Sequence, residues 1–277
     1  MDNLQFAKAT AFKDLHKRSG IFVMPNPWDA GSAKMLATLG FEALATTSAG
    51  LAFSLGKPDG EGAITREETF KNIQAIITAT DLPVAADLEN GFGDEPETCA
   101  ATILLAAKAG LAGGSIEDNT GRPKDPIYPF ELSVDRIKAA VKAAQSLAIP
   151  FTLTARAENL IYGRNDLADT IRRLQAYAEA GADVLFAPGL QTREEILAVV
   201  KAVAPAPLNV VMGLSNANFS LNELADLGVK RVSLGSSLAR AAYGAFFQAA
   251  TEISKKGSFN FAHGAISYSS VNALFRS

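Results

Sequence analysis

Four times along this sequence a helical stretch ends in Ala-Gly or Leu-Gly and runs directly into a short apolar segment. The joints are Leu39-Gly40 before Phe41–Thr46, Ala109-Gly110 before Leu111–Ile116, Ala180-Gly181 before Ala182–Phe186, and Leu227-Gly228 before Val229–Leu234. Glycine just past the last helical turn takes the left-handed conformation without a Cβ penalty. The segments that follow are continuous apolar runs, as expected of parallel strands covered on both faces by helices. Strand candidates lie at Ile21–Met24, Glu42–Thr47, Pro83–Leu88, Gly113–Glu117, Pro150–Ala155, Asp183–Ala187, Leu208–Met212 and Arg231–Gly235. Helical patterns fill the intervals. Such an α/β alternation without reversal predicts a (β/α)₈ TIM-type barrel, which needs roughly 250 residues; the chain has 277. An open doubly wound sheet would call for a Gly-rich phosphate turn, and the sequence has none.

Helix starts carry their own signals. Thr65-Arg66-Glu67-Glu68, Thr192-Arg193-Glu194-Glu195 and Ser220-Leu221-Asn222-Glu223 match the capping box. Asn26-Pro27 reads as an N-cap followed by proline, and Asp94 with Glu97 as another cap. Leu4–Arg18 is an extra N-terminal helix. Ser236–Lys255 and Tyr268–Phe275 form a C-terminal helical extension whose apolar end docks on its own barrel or on a partner subunit. Residues 1–277 are read as one domain, with 236–277 as that extension.

Composition narrows the function. With 48% hydrophobic and 20% charged residues the chain is globular. A net charge of −3 and the lack of a basic stripe give no footprint for nucleic acid. No apolar run is long enough to span a bilayer. The start Met1-Asp2-Asn3-Leu4 lacks the features of a secretion signal, so a cytoplasmic enzyme is expected. The single cysteine, Cys99, falls in a helical pattern and reads as core; His263 reads as structural. Trp28, Phe53, Phe92 and Tyr162 line the pocket or, the favoured reading, are apolar packing.

A barrel does its chemistry at the C-terminal ends of its strands, and the unusual residues lie there. The third strand candidate ends in Asp87-Leu88-Glu89-Asn90-Gly91-Phe92-Gly93. Two carboxylates spaced by two project to one side of an extended chain and repel unless a cation or protons neutralise them. Glu117 ends the next strand. Three carboxylates with no histidine nearby make a hard oxygen site suited to Mg²⁺, with Mn²⁺ as the alternative. The bland reading of each acid is a helix cap or a surface ion pair. Arg156, ending the fifth strand, offers a fork to a substrate carboxylate or pairs with those acids. Ser48-Ala49-Gly50, after the second strand, offers backbone N–H groups to an anion or is a plain turn. Asp59 sits in a loop within reach of the same mouth.

Taken together, Asp87-Leu88-Glu89-Asn90-Gly91-Phe92-Gly93, Ile116-Glu117-Asp118, Ala155-Arg156, Ser48-Ala49-Gly50 and Asp59 resemble the isocitrate lyase / phosphoenolpyruvate mutase superfamily, with Glu89 where many members have Asp. The resemblance implies a Mg²⁺-dependent enzyme acting on a small 2-oxo carboxylate through an enolate. It implies that Asp87 holds the metal, that Glu89 and Glu117 hold its water shell, and that Ser48, Ala49, Gly50 and Arg156 bind the substrate's anionic end, with Arg156 and Asp59 catalytic. It also implies a homo-oligomer, tetramer or dimer. The chain departs from the isocitrate and methylisocitrate lyases after Glu117. Their lid carries a Lys-Lys/Arg-Cys-Gly-His motif, whereas Asn119–Tyr128 has neither Cys nor His, and Ala187-Pro188 stands where they place an acid. Lys124 is only a loose counterpart of the mutase lysine. Decarboxylation of oxaloacetate or a related 2-oxo diacid needs no lid acid and is the expected reaction. The alternatives are C–C cleavage of the methylisocitrate type, phosphonate chemistry, and a 2-oxo acid binding protein without turnover.

Overall fold

The computed structural model describes residues 3–213 and 219–276. Its elements run α1 (Asn3–Lys17), β1 (Phe22–Met24), α2 (Ala30–Ala37), β2 (Leu44–Ala45), α3 (Ser48–Ser54), α4 (Arg66–Thr78), β3 (Val84–Asp87), α5 (Pro96–Lys108), β4 (Gly113–Glu117) and α6 (Phe130–Gln145). They continue with β5 (Thr152–Arg156), α7 (Leu167–Glu179), β6 (Val184–Phe186), α8 (Arg193–Val203), β7 (Leu208–Val211), α9 (Leu221–Asp226), β8 (Arg231–Ser233), α10 (Ser237–Lys256), a 3₁₀ turn (Asn260–Gly264) and α11 (Tyr268–Arg276). All eight strands are parallel, in the order β1-β8-β7-β6-β5-β4-β3-β2. Each lies on its predicted segment, and β5 runs one residue further, to Arg156.

The edge between β1 and β2 is joined by isolated bonds rather than a ladder. The Ala45 N–H donates to Pro25 C=O (3.1 Å). Asn26 Nδ2 donates to Thr46 C=O (2.9 Å), while its Oδ1 accepts from the Leu234 and Gly235 amides (2.9 and 3.0 Å). Asn26 therefore fastens three strand ends and caps no helix, contrary to expectation. The N-cap of α2 is Asp29, whose side chain accepts from Ser32 N. The three expected capping boxes form at Thr65, Thr192 and Ser220. Asp94 also departs from its predicted role: Glu95 occupies the N-cap position of α5, and Asp94 pairs with Arg122 at 2.8 Å.

α1 closes the bottom of the barrel. Phe12 is fully buried beneath Gly113, where an added Cβ would lie 2.5 Å from the Thr152 carbonyl and 2.9 Å from the Phe12 ring. No side chain fits there, so glycine is required. Register then sets the height of the upper residues: Asp87 lies beside Ser115, and Glu117 beside Arg156. Among the described residues no helix is long and apolar enough to cross a membrane. α10 buries only Ala239, and α11 lies beside α2, where Lys34 Nζ donates to Phe275 C=O (3.3 Å).

Candidate active site

The C-terminal strand ends converge on Arg156. Its Nη1 lies 3.0 Å from Asp87 Oδ1, its Nη2 3.1 Å from Glu117 Oε2, and its Nε 2.8 Å from Glu158 Oε1. The guanidinium also lies over the Phe186 ring, 5.0 Å from its centre. Three carboxylates on one guanidinium exceed its charge. Burial works against the charge on Arg156, but Glu117, Glu158 and Asp87 together outweigh it and raise the guanidinium well above its ordinary value. Asp87 accepts further bonds from Ser48 N (3.2 Å) and Ser48 Oγ (2.9 Å) on its second oxygen.

Glu89 and Asp59 add two more carboxyl groups around the same space. Burial, then Asp87 and Asp59, push Glu89 up to about 8. Burial pushes Glu117 well above the carboxylate range, with Glu158, Asp87 and Glu89 adding to the effect against Arg156. Glu158 is pushed up to about 7, chiefly by burial. Asp59 is raised by desolvation and by Asp87. Five carboxyl groups thus face one guanidinium, and without a further cation the site must retain protons.

Two cavities lie here, with Ser48, Asp59, Arg156 and Ile161 common to both linings. The first, of about 160 Å³, descends into the barrel between Asp87, Ser115, Arg156, Asn209 and Arg231. The second, of about 130 Å³, is the acidic compartment between Asp59, Glu89, Glu117, Glu158 and Tyr162. Among the described residues no three His, Cys, Asp or Glu side chains converge on one point as they stand. The donor set is nevertheless the oxygen-only kind that suits Mg²⁺, an ion that usually keeps several waters and takes only one or two carboxylates directly.

The structure brings Ser48, Asp59, Asp87, Glu89, Glu117 and Arg156 together around these cavities, and Ala49 lines the first. Three local expectations change. Glu89 lies beyond the end of β3 with φ of +48°, so a turn and not strand alternation brings it to the site. Ser48–Gly50 is the first turn of α3, capped by Thr47, whose hydroxyl accepts from Gly50 N (3.2 Å). Ser48 N is spent on Asp87 and Gly50 N on Thr47, which leaves the Ala49 amide of this first turn to meet an incoming anion. Tyr162 is not apolar packing: its hydroxyl accepts from Asn119 Nδ2 (2.6 Å) at the rim of the acidic compartment. Sequence reasoning did not single out Glu158 or Arg231. Glu158 follows Arg156 at the strand-two spacing already applied to Asp87 and Glu89, and that signal was available.

Beneath the loop after β4 lies a buried polar network. Asp118 accepts from Glu158 N (2.8 Å), Arg173 Nη1 (3.1 Å) and Tyr177 OH (2.8 Å). Arg136, also buried, donates to the Asn90, Gly93 and Asp94 carbonyls and stacks 4.1 Å from the centre of the Tyr128 ring. The turn that carries Glu89 and the loop that follows Glu117 are thereby held from below.

A family profile described as phosphoenolpyruvate phosphomutase matches residues 12–254. A solved Burkholderia cenocepacia J2315 structure, assigned provisionally as a lyase/mutase, is 58% identical with a TM-score of 0.96, covering 100% of this chain and 98% of its own. The 2-methylisocitrate lyase of Halalkalibacterium halodurans is 31% identical over 230 residues, 77% of this chain and 74% of that protein. The structure of oxaloacetate acetylhydrolase with its product oxalate is 26% identical with a TM-score of 0.86, covering 97% and 94% of the two chains. The strand-end residues, the barrel that carries them and these matches lead to one conclusion: the chain belongs to the phosphoenolpyruvate phosphomutase family and is an enzyme of the isocitrate lyase / PEP mutase superfamily.

Proposed function

We propose that this enzyme is a Mg²⁺-dependent lyase of small 2-oxo carboxylic acids, and that its reaction is decarboxylation of oxaloacetate or a related 2-oxo diacid. The observation that carries this is the five-to-one excess of carboxyl groups over guanidinium at the mouth, beside a loop, Asn119–Tyr128, with no thiol or imidazole. Asp87 would hold the ion directly, and Glu89 and Glu117 its water shell. The bound ion supplies Lewis-acid stabilisation of developing enolate charge.

The chain's own residues do the rest. Arg156, shared among three carboxylates, turns a bidentate face to the substrate carboxylate. The Ala49 amide offers a further donor to that end. Asp59, which lines both cavities alongside Ser48 and Arg156, borders the reacting carbon from the rim. The C3–C4 bond breaks, its electron pair passes to the enolate, carbon dioxide leaves, and a solvent proton completes pyruvate. The named relatives lend support, since one is an oxaloacetate acetylhydrolase and another a 2-methylisocitrate lyase. A second reading is C–C cleavage of a 2-hydroxy diacid, favoured by the Tyr162 hydroxyl at the compartment rim, where it could replace a lid cysteine as proton donor.

The same proposal includes a homo-oligomer, dimer or tetramer, assembled through α10, on which Phe246 and Phe247 stand 69% and 71% exposed. NMR of oxaloacetate, methylisocitrate, isocitrate, dimethylmalate and phosphonopyruvate with Mg²⁺ tests the chemistry. Pyruvate from oxaloacetate above the Mg²⁺-only background is the expected result. Glyoxylate from isocitrate, turnover of the phosphonate alone, or no turnover at all would overturn it.

A further inference from the structure

Arg231 opens β8 and is 3% exposed inside the barrel. Its Nε donates to Asn209 Oδ1 (2.8 Å), its Nη2 to Thr154 Oγ1 (3.0 Å), and its Nη1 lies 3.1 Å from His16 Nε2. Every one of these partners is neutral. His16 Nδ1 lies 2.9 Å from the Phe12 carbonyl, which fixes that nitrogen as the N–H and leaves Nε2 to accept. Burial and the arginine hold the imidazole down at about 3, so it carries no charge. Among the described residues Arg231 takes part in no ion pair, whereas Arg156 has three. Five N–H donors meet three acceptors.

A buried cation without a counter-charge is costly, and an aliphatic side chain would fill the same layer without that cost. The cavity supplies a reason for the charge. Its lining runs from Ser48 and Arg156 at the mouth to Arg231, Asn209 and Ser233 below. Thr154 and Arg156 are two residues apart on one face of β5, so the layer that Arg231 joins lies ~7 Å beneath that of Arg156. A diacid of four or five carbons is long enough to bridge the two levels. Asn209 Nδ2 donates to Ser233 Oγ (2.9 Å), which turns its oxygen toward Arg231 and fixes the guanidinium plane.

We propose that Arg231, oriented by Asn209, Thr154 and His16, forms an anion subsite at the cavity floor that receives the second carboxylate of a diacid held at the mouth. The assignment of the ligand rests on the 2-oxo acid reading above; the anion site itself does not. The subsite makes the enzyme select diacids over monoacids, because only a diacid neutralises the buried guanidinium.

Bromide soaked into crystals of the intact protein tests the site without any substrate. An anomalous peak within hydrogen-bond distance of Arg231 is expected, and its absence overturns the proposal. In solution, bromide is expected to compete with oxaloacetate but not with pyruvate, a test that needs no variant. Arg231→Gln is expected to weaken oxaloacetate about 30-fold, the range for one charge-assisted pair, and to leave pyruvate within about twofold, with Arg231→Lys between. Equal weakening of both acids assigns Arg231 a purely structural role and overturns the subsite. Bromide at Arg231 with binding of neither acid upholds the anion site and sinks the 2-oxo acid reading. Oxaloacetate turnover without bromide at Arg231 does the reverse.

Discussion

Asp87 is the residue on which the site's charges depend, since it faces Arg156, both Ser48 donors and the cavity that descends into the barrel. Asp87→Ala is expected to abolish Mg²⁺-linked thermal stabilisation and to lower kcat by at least about 10³-fold, the scale for losing a main electrostatic element; steady-state assays and thermal scans with and without Mg²⁺ check both. Glu89 predicts a pH effect. Its folded value of about 8 lies above the ordinary 4.5, so between those values the folded chain holds a proton that the unfolded chain has lost. Stability of the metal-free protein therefore falls as pH rises through that window. Thermal unfolding in EDTA should show the decline, and Glu89→Gln should remove about 1–2 kcal/mol of it, a figure reduced for the group's partial exposure. Asp87, Glu117 and Arg156 were legible because a barrel's strand ends are its reactive edge. Tyr162 was legible as one alternative, a pocket-lining residue, but its polar role was not, because a tyrosine in a loop gives no sign of whether its hydroxyl or its ring faces the site. Arg231 was not, because the N-terminal end of a strand carries no expectation of charge.

At the scale of elements, helix starts were readable wherever one side chain and one backbone amide decide the matter. The Thr65, Thr192 and Ser220 boxes all form. Asn26 shows where that reasoning stops: its partners Thr46, Leu234 and Gly235 are distant in the chain, and no local pattern announces a bond across the β1–β2 edge. Asn26→Ala strands two amides and a carbonyl that are otherwise paired. Urea denaturation is expected to show a loss of about 2–4 kcal/mol, against about 1 kcal/mol for the exposed cap variant Thr192→Ala. Similar losses for the two would contradict the role assigned to Asn26. β2 came out shorter than predicted because its last residues turn to other work, as when Thr46 Oγ1 accepts from Asp87 N (3.0 Å).

For the whole molecule, the repeated helix–glycine–strand phrase marked four of the eight strands, and continuous apolar runs between helical patterns marked the other four. The C-terminal extension was legible as helical and apolar, but not in what it packs against. What covers it depends on a second surface that the sequence of one chain does not describe. The paired change Phe246→Asp and Phe247→Asp is expected to convert an oligomer to monomers, read by light scattering after size exclusion; an unchanged mass would remove α10 from the interface. The account as a whole rests on a divalent ion held by the acids at the barrel mouth. Turnover of oxaloacetate is best followed across a Mg²⁺ titration after exhaustive EDTA treatment, beside a protein-free control at each concentration. The expected result is loss of enzyme-dependent pyruvate in EDTA and saturable recovery with Mg²⁺ in the native chain but not in Asp87→Ala. Full activity in EDTA would contradict it.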